Sequence, residues 1–175
     1  PADTDGVEAI VVNNSEEITI KNCNIVGSSL GDRNYGLLLR NVTNATLTHI
    51  NITADSGDPN TYFVFYNHSY NVSLTRGNIT SDNSDADSPF LVVNSNFTRI
   101  EKVNITSAGG SELLLIHNST FVIINESIFG ATANGIDAVV ISGNSMNTTL
   151  LNNSLINIGV GFTLSNISGG LIENT

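Results

Sequence analysis

The chain repeats itself at intervals of about two dozen residues. An Asn-Ile ending closes Lys21-Asn22-Cys23-Asn24-Ile25, returns in His49-Ile50-Asn51-Ile52, Arg76-Gly77-Asn78-Ile79 and Lys102-Val103-Asn104-Ile105, and softens to Ser127-Ile128 and Ser154-Leu155. Five residues before each final apolar position stands another, namely Ile20, Leu47, Leu74, Ile100, Ile123 and Leu150. An offset kept through every copy demands stacked, equivalent layers. A repeat this short, built from strand-like pieces, predicts a solenoid.

The copies can be laid over one another as residues 9–25, 36–52, 64–79, 90–105, 113–128 and 138–155, with a partial copy from Val160, which makes about seven coils. Each opens with an apolar run (Ile10-Val11-Val12, Leu37-Leu38-Leu39, Val64-Phe65-Tyr66, Phe90-Leu91-Val92, Leu113-Leu114-Leu115, Val139-Val140-Ile141). It then turns a polar Asn/Ser/Thr corner and alternates, as in Ala45-Thr46-Leu47-Thr48. Short runs rich in Val, Ile, Leu, Thr and Phe read as strands, and no stretch keeps a helical period. The expectation is an all-β chain with three short parallel strands per coil. This pattern resembles the right-handed parallel β-helix of the pectin-lyase-like superfamily, in particular the loosely patterned repeats of secreted microbial carbohydrate-associated and surface proteins. The resemblance runs from about Val7 to Thr175 and implies a single-stranded right-handed β-helix solenoid forming one domain over residues 1–175. Handedness rests on the resemblance alone, and a shared fold says little about activity.

No apolar run is long enough to cross a bilayer, because Asn, Ser or Gly interrupts every stretch. The formal net charge of −10 would repel phosphates and sets nucleic acid aside as a partner. Asn-x-Ser/Thr triplets begin at Asn13, Asn41, Asn44, Asn51, Asn67, Asn71, Asn78, Asn96, Asn104, Asn118, Asn125, Asn147, Asn152 and Asn166. One reading is a secreted chain carrying N-linked glycans; the other is that Asn, Ser and Thr serve the corners and make accidental acceptor triplets. An Asn pointing into the stack would have no room for a sugar. Pro1-Ala2-Asp3-Thr4-Asp5 has neither a basic nor an apolar leader segment. With the triplets, the expectation is an extracellular or cell-surface protein after removal of a signal peptide. The single Cys23 cannot close an internal disulfide and shares an apolar column with Ile50 and Val103, which predicts a buried inert thiol.

Two polar columns stand out. Asn14, Asn41, Asn94 and Asn144 align after the first strand, with Asn67 or His68 and His117 between them. Asn24, Asn51, Asn78 and Asn104 form a second column continued by Ser127 and Ser154. Stacked amides satisfy each other's donors and acceptors, so hydrogen-bonded ladders are expected. Longer connections at 27–35, 54–61 and 81–89 gather acids and would emerge on one face. Of these, Asp55, Asp58, Asp82, Asp85 and Asp87 are a candidate oxygen set for Ca²⁺, although Asp82-Asn83-Ser84-Asp85-Ala86-Asp87 follows no strict calcium motif. No other cofactor is implied.

In the resembled superfamily, lyases need a base beside a uronate and hydrolases an acid and a base flanking the bond. The Asp-Asp, Gly-His-Gly and Arg-Ile-Lys signatures of its polygalacturonases do not occur in this chain. A catalytic role is not expected and no catalytic residue is assigned. The column Asn22, His49, Arg76 and Lys102 could grip an acidic glycan, against the simpler view that these are solvated corner residues.

The first strand is apolar at consecutive positions, so one outward stripe must be greasy whichever way the strand faces. The interface candidates are Val11, Leu38, Phe65, Leu91, Leu114 and Ile141. Nothing at either end resembles a solenoid cap, and the last segment, Gly169 to Thr175, stops part-way through a coil. End-to-end contact with another copy, or with neighbouring domains of a longer chain, would complete it. The functional expectation is therefore a non-enzymatic subunit of an N-glycosylated extracellular assembly (filament, sheath or coat layer) built by end-to-end and lateral contacts between copies. The alternative is a secreted β-helix that binds or cleaves carbohydrate, or an adhesin or spike segment.

Overall fold

Left-handed residues at fixed places in every coil bend this chain into a three-sided prism. The computed structural model describes residues 8–29, 35–56, 62–81, 88–132 and 135–175, and within them every regular element is a strand. In order these are β1 (Glu8–Glu16), β2 (Thr19–Ser29), β3 (Tyr35–Ser56), β4 (Tyr62–Asn67), β5 (Tyr70–Ser81), β6 (Phe90–Val93), β7 (Asn96–Ser107), β8 (Glu112–His117), β9 (Ile123–Asn125), β10 (Ile128–Ala131), β11 (Asp137–Ser142), β12 (Met146–Leu151), β13 (Ser154–Ile156), β14 (Val160–Leu164) and β15 (Ser168–Glu173). All recorded pairings are parallel. One face stacks β1, β3, β4, β6, β8, β11 and β14, and a second stacks β2, β3, β5, β7, β9, β12 and β15. The third is made from the later parts of β2, β3, β5 and β7, followed by β10 and β13.

The bends fall on three columns of positive φ. Asn14, Asn41, His68, Asn94, Asn118, Gly143 and Asn166 turn out of the first face; Glu17, Asn44, Asn71, Phe97, Phe121, Asn147 and Gly169 turn into the second. Asn22, His49, Arg76, Lys102, Glu126, Asn152 and Asn174 separate the second face from the third. Asn is the side chain that tolerates this region best after Gly, which explains its abundance.

Inside the prism equivalent side chains stack rung on rung. The column Ile20, Leu47, Leu74, Ile100, Ile124 and Leu150 packs beside Ile25, Ile52, Ile79, Ile105, Phe129 and Leu155. In the middle rungs these are fully buried, while Ile20, Ile25 and Leu155 lean against the core from the ends. Each such burial is worth roughly 1.5–3 kcal/mol. The offset of five residues is therefore real, but the fifth copy starts one residue later than the sequence alignment puts it. Ile124, not Ile123, faces Ile100, and Phe129, not Ile128, faces Ile105. Ile128 is left 40% exposed where Asn24, Asn51, Asn78 and Asn104 stand in earlier coils, and Ser127 turns inward. The reason is local: the left-handed Phe121 and Glu126 set the corners, and apolar residues on both parities of Val122-Ile123-Ile124 leave the pattern unable to choose. The first corner column also shifts by one residue, because the left-handed bend falls on Asn118 and Gly143 rather than on His117 and Asn144.

A second ladder, of serine, runs inside the first corner. Ser95 Oγ accepts from the Ser69 N–H at 3.1 Å and donates to Val93 O; Ser119 Oγ accepts from the Ser95 N–H at 3.1 Å and donates to His117 O. Ser145 Oγ accepts from the Ser119 N–H at 3.2 Å and donates to Ser142 O. The next corner repeats the device with Ser127, Asn153 and Thr175. Inward-turned amides that no strand can pair are thus satisfied by the rung beyond.

Tyr66 points into the core, packing edge-on against Phe90 with ring centroids 5.1 Å apart. Its hydroxyl is buried without a hydrogen-bond partner among the described residues, and burial pushes its pKa well above the ordinary tyrosine range. Tyr66→Phe keeps the ring and removes an unsatisfied polar atom. We expect it to raise stability by about 1 kcal/mol in urea denaturation, with an unchanged slope; a drop would mean that the hydroxyl is hydrogen-bonded after all.

Candidate functional site

The acceptor asparagines all belong to the corners. Asn41, Asn44, Asn71, Asn118, Asn147, Asn152 and Asn166 are themselves left-handed residues; Asn13, Asn67, Asn96 and Asn125 immediately precede one; Asn51, Asn78 and Asn104 follow one by two positions. None of them is buried. The inward corner positions are taken by other residues, Val42, Ser69, Ser95, Ser119 and Ser145 at the first corner and Ile50, Val103, Ser127 and Asn153 at the next. Corner chemistry also accounts for the triplets themselves. In seven of them the Asn itself bends the chain, and two residues later, beyond the bend, stands Thr or Ser.

Amide ladders form in short lengths, two of them in the predicted columns, Asn14–Asn41 and Asn78–Asn104, and two outside those columns, Asn44–Asn71 and Asn125–Asn152. Asn41 Nδ2 donates to Asn14 Oδ1 at 3.0 Å, Asn71 Nδ2 to Asn44 Oδ1 at 2.7 Å, and Asn104 Nδ2 to Asn78 Oδ1 at 2.9 Å. Asn152 Nδ2 reaches Asn125 Oδ1 at 3.4 Å. Asn118 and Asn96 engage only their oxygens, the first accepting from the Asn144 N–H and the second from both the N–H and the hydroxyl of Thr120.

His49, Arg76 and Lys102 are indeed successive members of one corner column, each exposed. Adjacent rungs of a sheet lie about 4.8 Å apart, so the three present an axial row of nitrogen-bearing side chains, two of them the cations Arg76 and Lys102. The row ends in acid: Lys102 Nζ lies 3.4 Å from Glu126 and 3.8 Å from Glu101, and Arg99 contacts Glu101 at 2.8 Å. Hydrogen bonding from Arg99, aided by the charges of Arg99 and Lys102, holds the Glu101 carboxyl below its ordinary pKa. The signal in the sequence was the register; what it did not show is that these are bend residues.

The interface stripe of the first face divides. Register places Val11, Leu38, Phe65 and Leu91 in one column, which continues through Leu115 and Val140. Leu114 and Ile141 belong to the inward columns and are core residues, so they cannot be contact residues. Four consecutive apolar residues, Leu113 to Ile116, conceal which parity is inward. Leu38 and Leu91 point away from the core yet are only 1% and 7% exposed. The rings of Tyr35, Tyr62 and Phe65 gather on this side, with centroids 5.6–6.2 Å apart. Val11, at 38%, is the open member of the column.

Of the calcium candidates, Asp58, Asp82, Asp85 and Asp87 lie outside the described residues, and only the backbone of Asp55, at the end of β3, is described. Among the described residues no group of three or more His, Cys, Asp or Glu is placed to hold a metal ion, and no helix is long and apolar enough to cross a membrane. Cys23 is half-buried against the core opposite Ile50.

A family model described as the right handed beta helix region matches residues 8–175. No curated protein and no solved structure matches the chain.

Proposed function

We propose that this chain, which belongs to the right-handed β-helix family, is a non-catalytic structural subunit of an extracellular, N-glycosylated surface assembly such as a filament, sheath or coat layer. The carrying observation is the placement of the acceptor asparagines at or beside the corners with none of them buried. Sugars there leave the core and the strand ladders untouched. The stacked architecture supports the mechanical half of the reading. Among the described residues β1 and β14 pair along one edge only, and Val160, Leu164, Leu171 and Ile172 are 44–50% exposed on the last rung. Such an edge is a template for a further rung, whether it comes from a longer chain or another copy.

Negative-stain electron microscopy of natively isolated material, with intact-mass analysis of the same sample, tests both halves. Regular filaments or sheets with mass well above the 18.5 kDa polypeptide are expected. Discrete monomers at the bare mass would overturn the reading. The second reading would then stand, a module that binds an anionic glycan along the row of His49, Arg76 and Lys102, because an imidazole and two cations are placed one per rung.

A further inference from the structure

The corner between the first two faces carries an apolar ridge that neither the core nor the glycan reading uses. Tyr70, Phe97, Phe121 and Met146 follow one another along the axis and are 47%, 44%, 46% and 43% exposed. Phe97 stacks on Phe121 with centroids 4.8 Å apart at 10°, and Tyr70 lies 5.0 Å from Phe97 at 57°. The Phe121 N–H donates to Met146 O at 3.0 Å.

Phe97 and Phe121 occupy the column whose neighbouring members are Asn44, Asn71 and Asn147, with φ of 56° and 54°. A bulky side chain is strained in this region, and the same column shows that Asn fills it readily. Strained, half-exposed phenylalanines standing where Asn fits the backbone better point to a surface with a purpose.

We propose that this ridge is the lateral contact with a second copy of the chain, ridge against ridge. The proposal rests on the assembly reading above and names the surface that joins neighbours sideways. Three observations favour a second copy over other occupants. Residues 67–73, 93–99, 117–123 and 142–149, which surround the ridge, contain no Asp or Glu in a chain of 16 acids and 6 bases. Two copies that repel elsewhere can meet here. The facing rings of Phe97 and Phe121 cover each other and offer edges, which suits interdigitation with like rings better than stacking on a sugar face. An apolar strip is complementary to itself, as a two-fold contact requires. Four side chains bury far less than the roughly 800 Å² per partner of a stable discrete dimer, so the contact is weak in isolation and gains strength when many copies align.

The seam must also be bare. Asn71, Asn96, Asn118 and Asn147 flank it, and sugar on them would hold two ridges apart. Asn71 already donates its amide to Asn44, and Asn96 grips Thr120.

The test is Phe97→Asn/Phe121→Asn, which removes the ridge while installing the residue the corner prefers. In sedimentation velocity over a concentration series of the whole chain, its self-association constant should weaken at least about tenfold. Its melting temperature should move by no more than about 4 °C, and glycopeptide mapping of native material should find Asn96 and Asn118 unmodified. Association equal to the parent's would overturn the ridge contact alone, as would sugar on Asn96 or Asn118. A large fall in melting temperature with association unchanged would make the ridge an internal brace and overturn it too. A parent chain that stays monomeric at every concentration and forms no assemblies would sink the assembly reading together with this one.

Discussion

Leu47→Asp is expected to abolish cooperative folding, while Thr46→Asp, one position earlier, should melt within a few degrees of the parent. Leu47 is fully buried between Ile20 and Leu74 of the adjoining rungs, whereas Thr46 is exposed between Thr19 and Ser73. Truncating a core leucine costs about 2–5 kcal/mol through lost burial and the cavity it leaves. A carboxylate in that cavity adds several kcal/mol more, either as an unpaired charge or through the protonation that avoids one. The sum, roughly 5–10 kcal/mol, matches the whole stability of an ordinary domain. A solenoid makes it worse, because each rung contacts only its neighbours and a disrupted rung weakens two interfaces at once. Far-UV circular dichroism and thermal melts of the pair decide the matter. If both variants folded, or if Thr46→Asp also failed, the inward parity of the second face would be wrong.

That parity was legible from sequence because Thr46, Thr48, Ser73 and Thr75 alternate with apolar residues; Thr46 is exposed and the other three are half-buried on the outer side. The first face was not legible in the same way. Leu37-Leu38-Leu39 is apolar on both sides, and only register shows that Leu38 is the outward member. The Asn-Ile repeat located the layers, and the family match agrees with them, yet it slipped by one residue in the fifth coil where Ile123 and Ile124 offered equal choices. Corner geometry was the largest omission. His49, Arg76, Lys102, Phe97 and Phe121 look like chemistry-bearing residues in a list, but they share a backbone conformation with the asparagines above and below them. Asn reveals a left-handed bend by its preference; Arg or Phe at the same point reveals nothing until the stack aligns it.

The candidate surfaces follow the same division. Placement of the acceptor triplets could be read from sequence only as a choice between sugar and structure, and the corners show that structure alone is enough to create the triplets. Exposure then decides what sugar would cost the fold, which is little. The lateral stripe was sought where apolar residues are most concentrated, on the first face. Tertiary packing consumes most of that stripe, since Leu38 and Leu91 are buried and Leu114 and Ile141 are core. The most exposed aromatic rings, those of Tyr70, Phe97 and Phe121, lie instead at a corner, where a sequence pattern based on strands does not look.

Removing two rungs of the serine ladder should cost about as much as truncating one core leucine. Each inward serine hydroxyl does two things: it accepts the backbone N–H of the equivalent residue one rung earlier and donates to a carbonyl just before itself, two residues back for Ser95 and Ser119 and three for Ser145. Ser119→Ala deletes the acceptor for the Ser95 N–H and the donor to His117 O, in a place from which solvent is excluded. An orphaned buried donor costs about 1–3 kcal/mol, more than the net worth of an ordinary hydrogen bond, because the group is stripped of water and receives nothing in return. Shape is not the issue, since Val42 fills the same column. Ser95→Ala/Ser119→Ala orphans two successive amides, those of Ser69 and Ser95. Its expected loss is about 2–5 kcal/mol, less than strictly additive because both sites belong to one network. For a chain of this size that lowers the melting temperature by roughly 5–15 °C. Hydrogen exchange separates this cause from general loosening. The Ser69 and Ser95 amides should exchange far faster in the double variant, while the amide of Leu74, on the second face, keeps its protection relative to global stability. Uniform acceleration throughout, or a melting temperature equal to the parent's, would show that water or backbone relaxation satisfies these amides and that the serines are not what closes the corner.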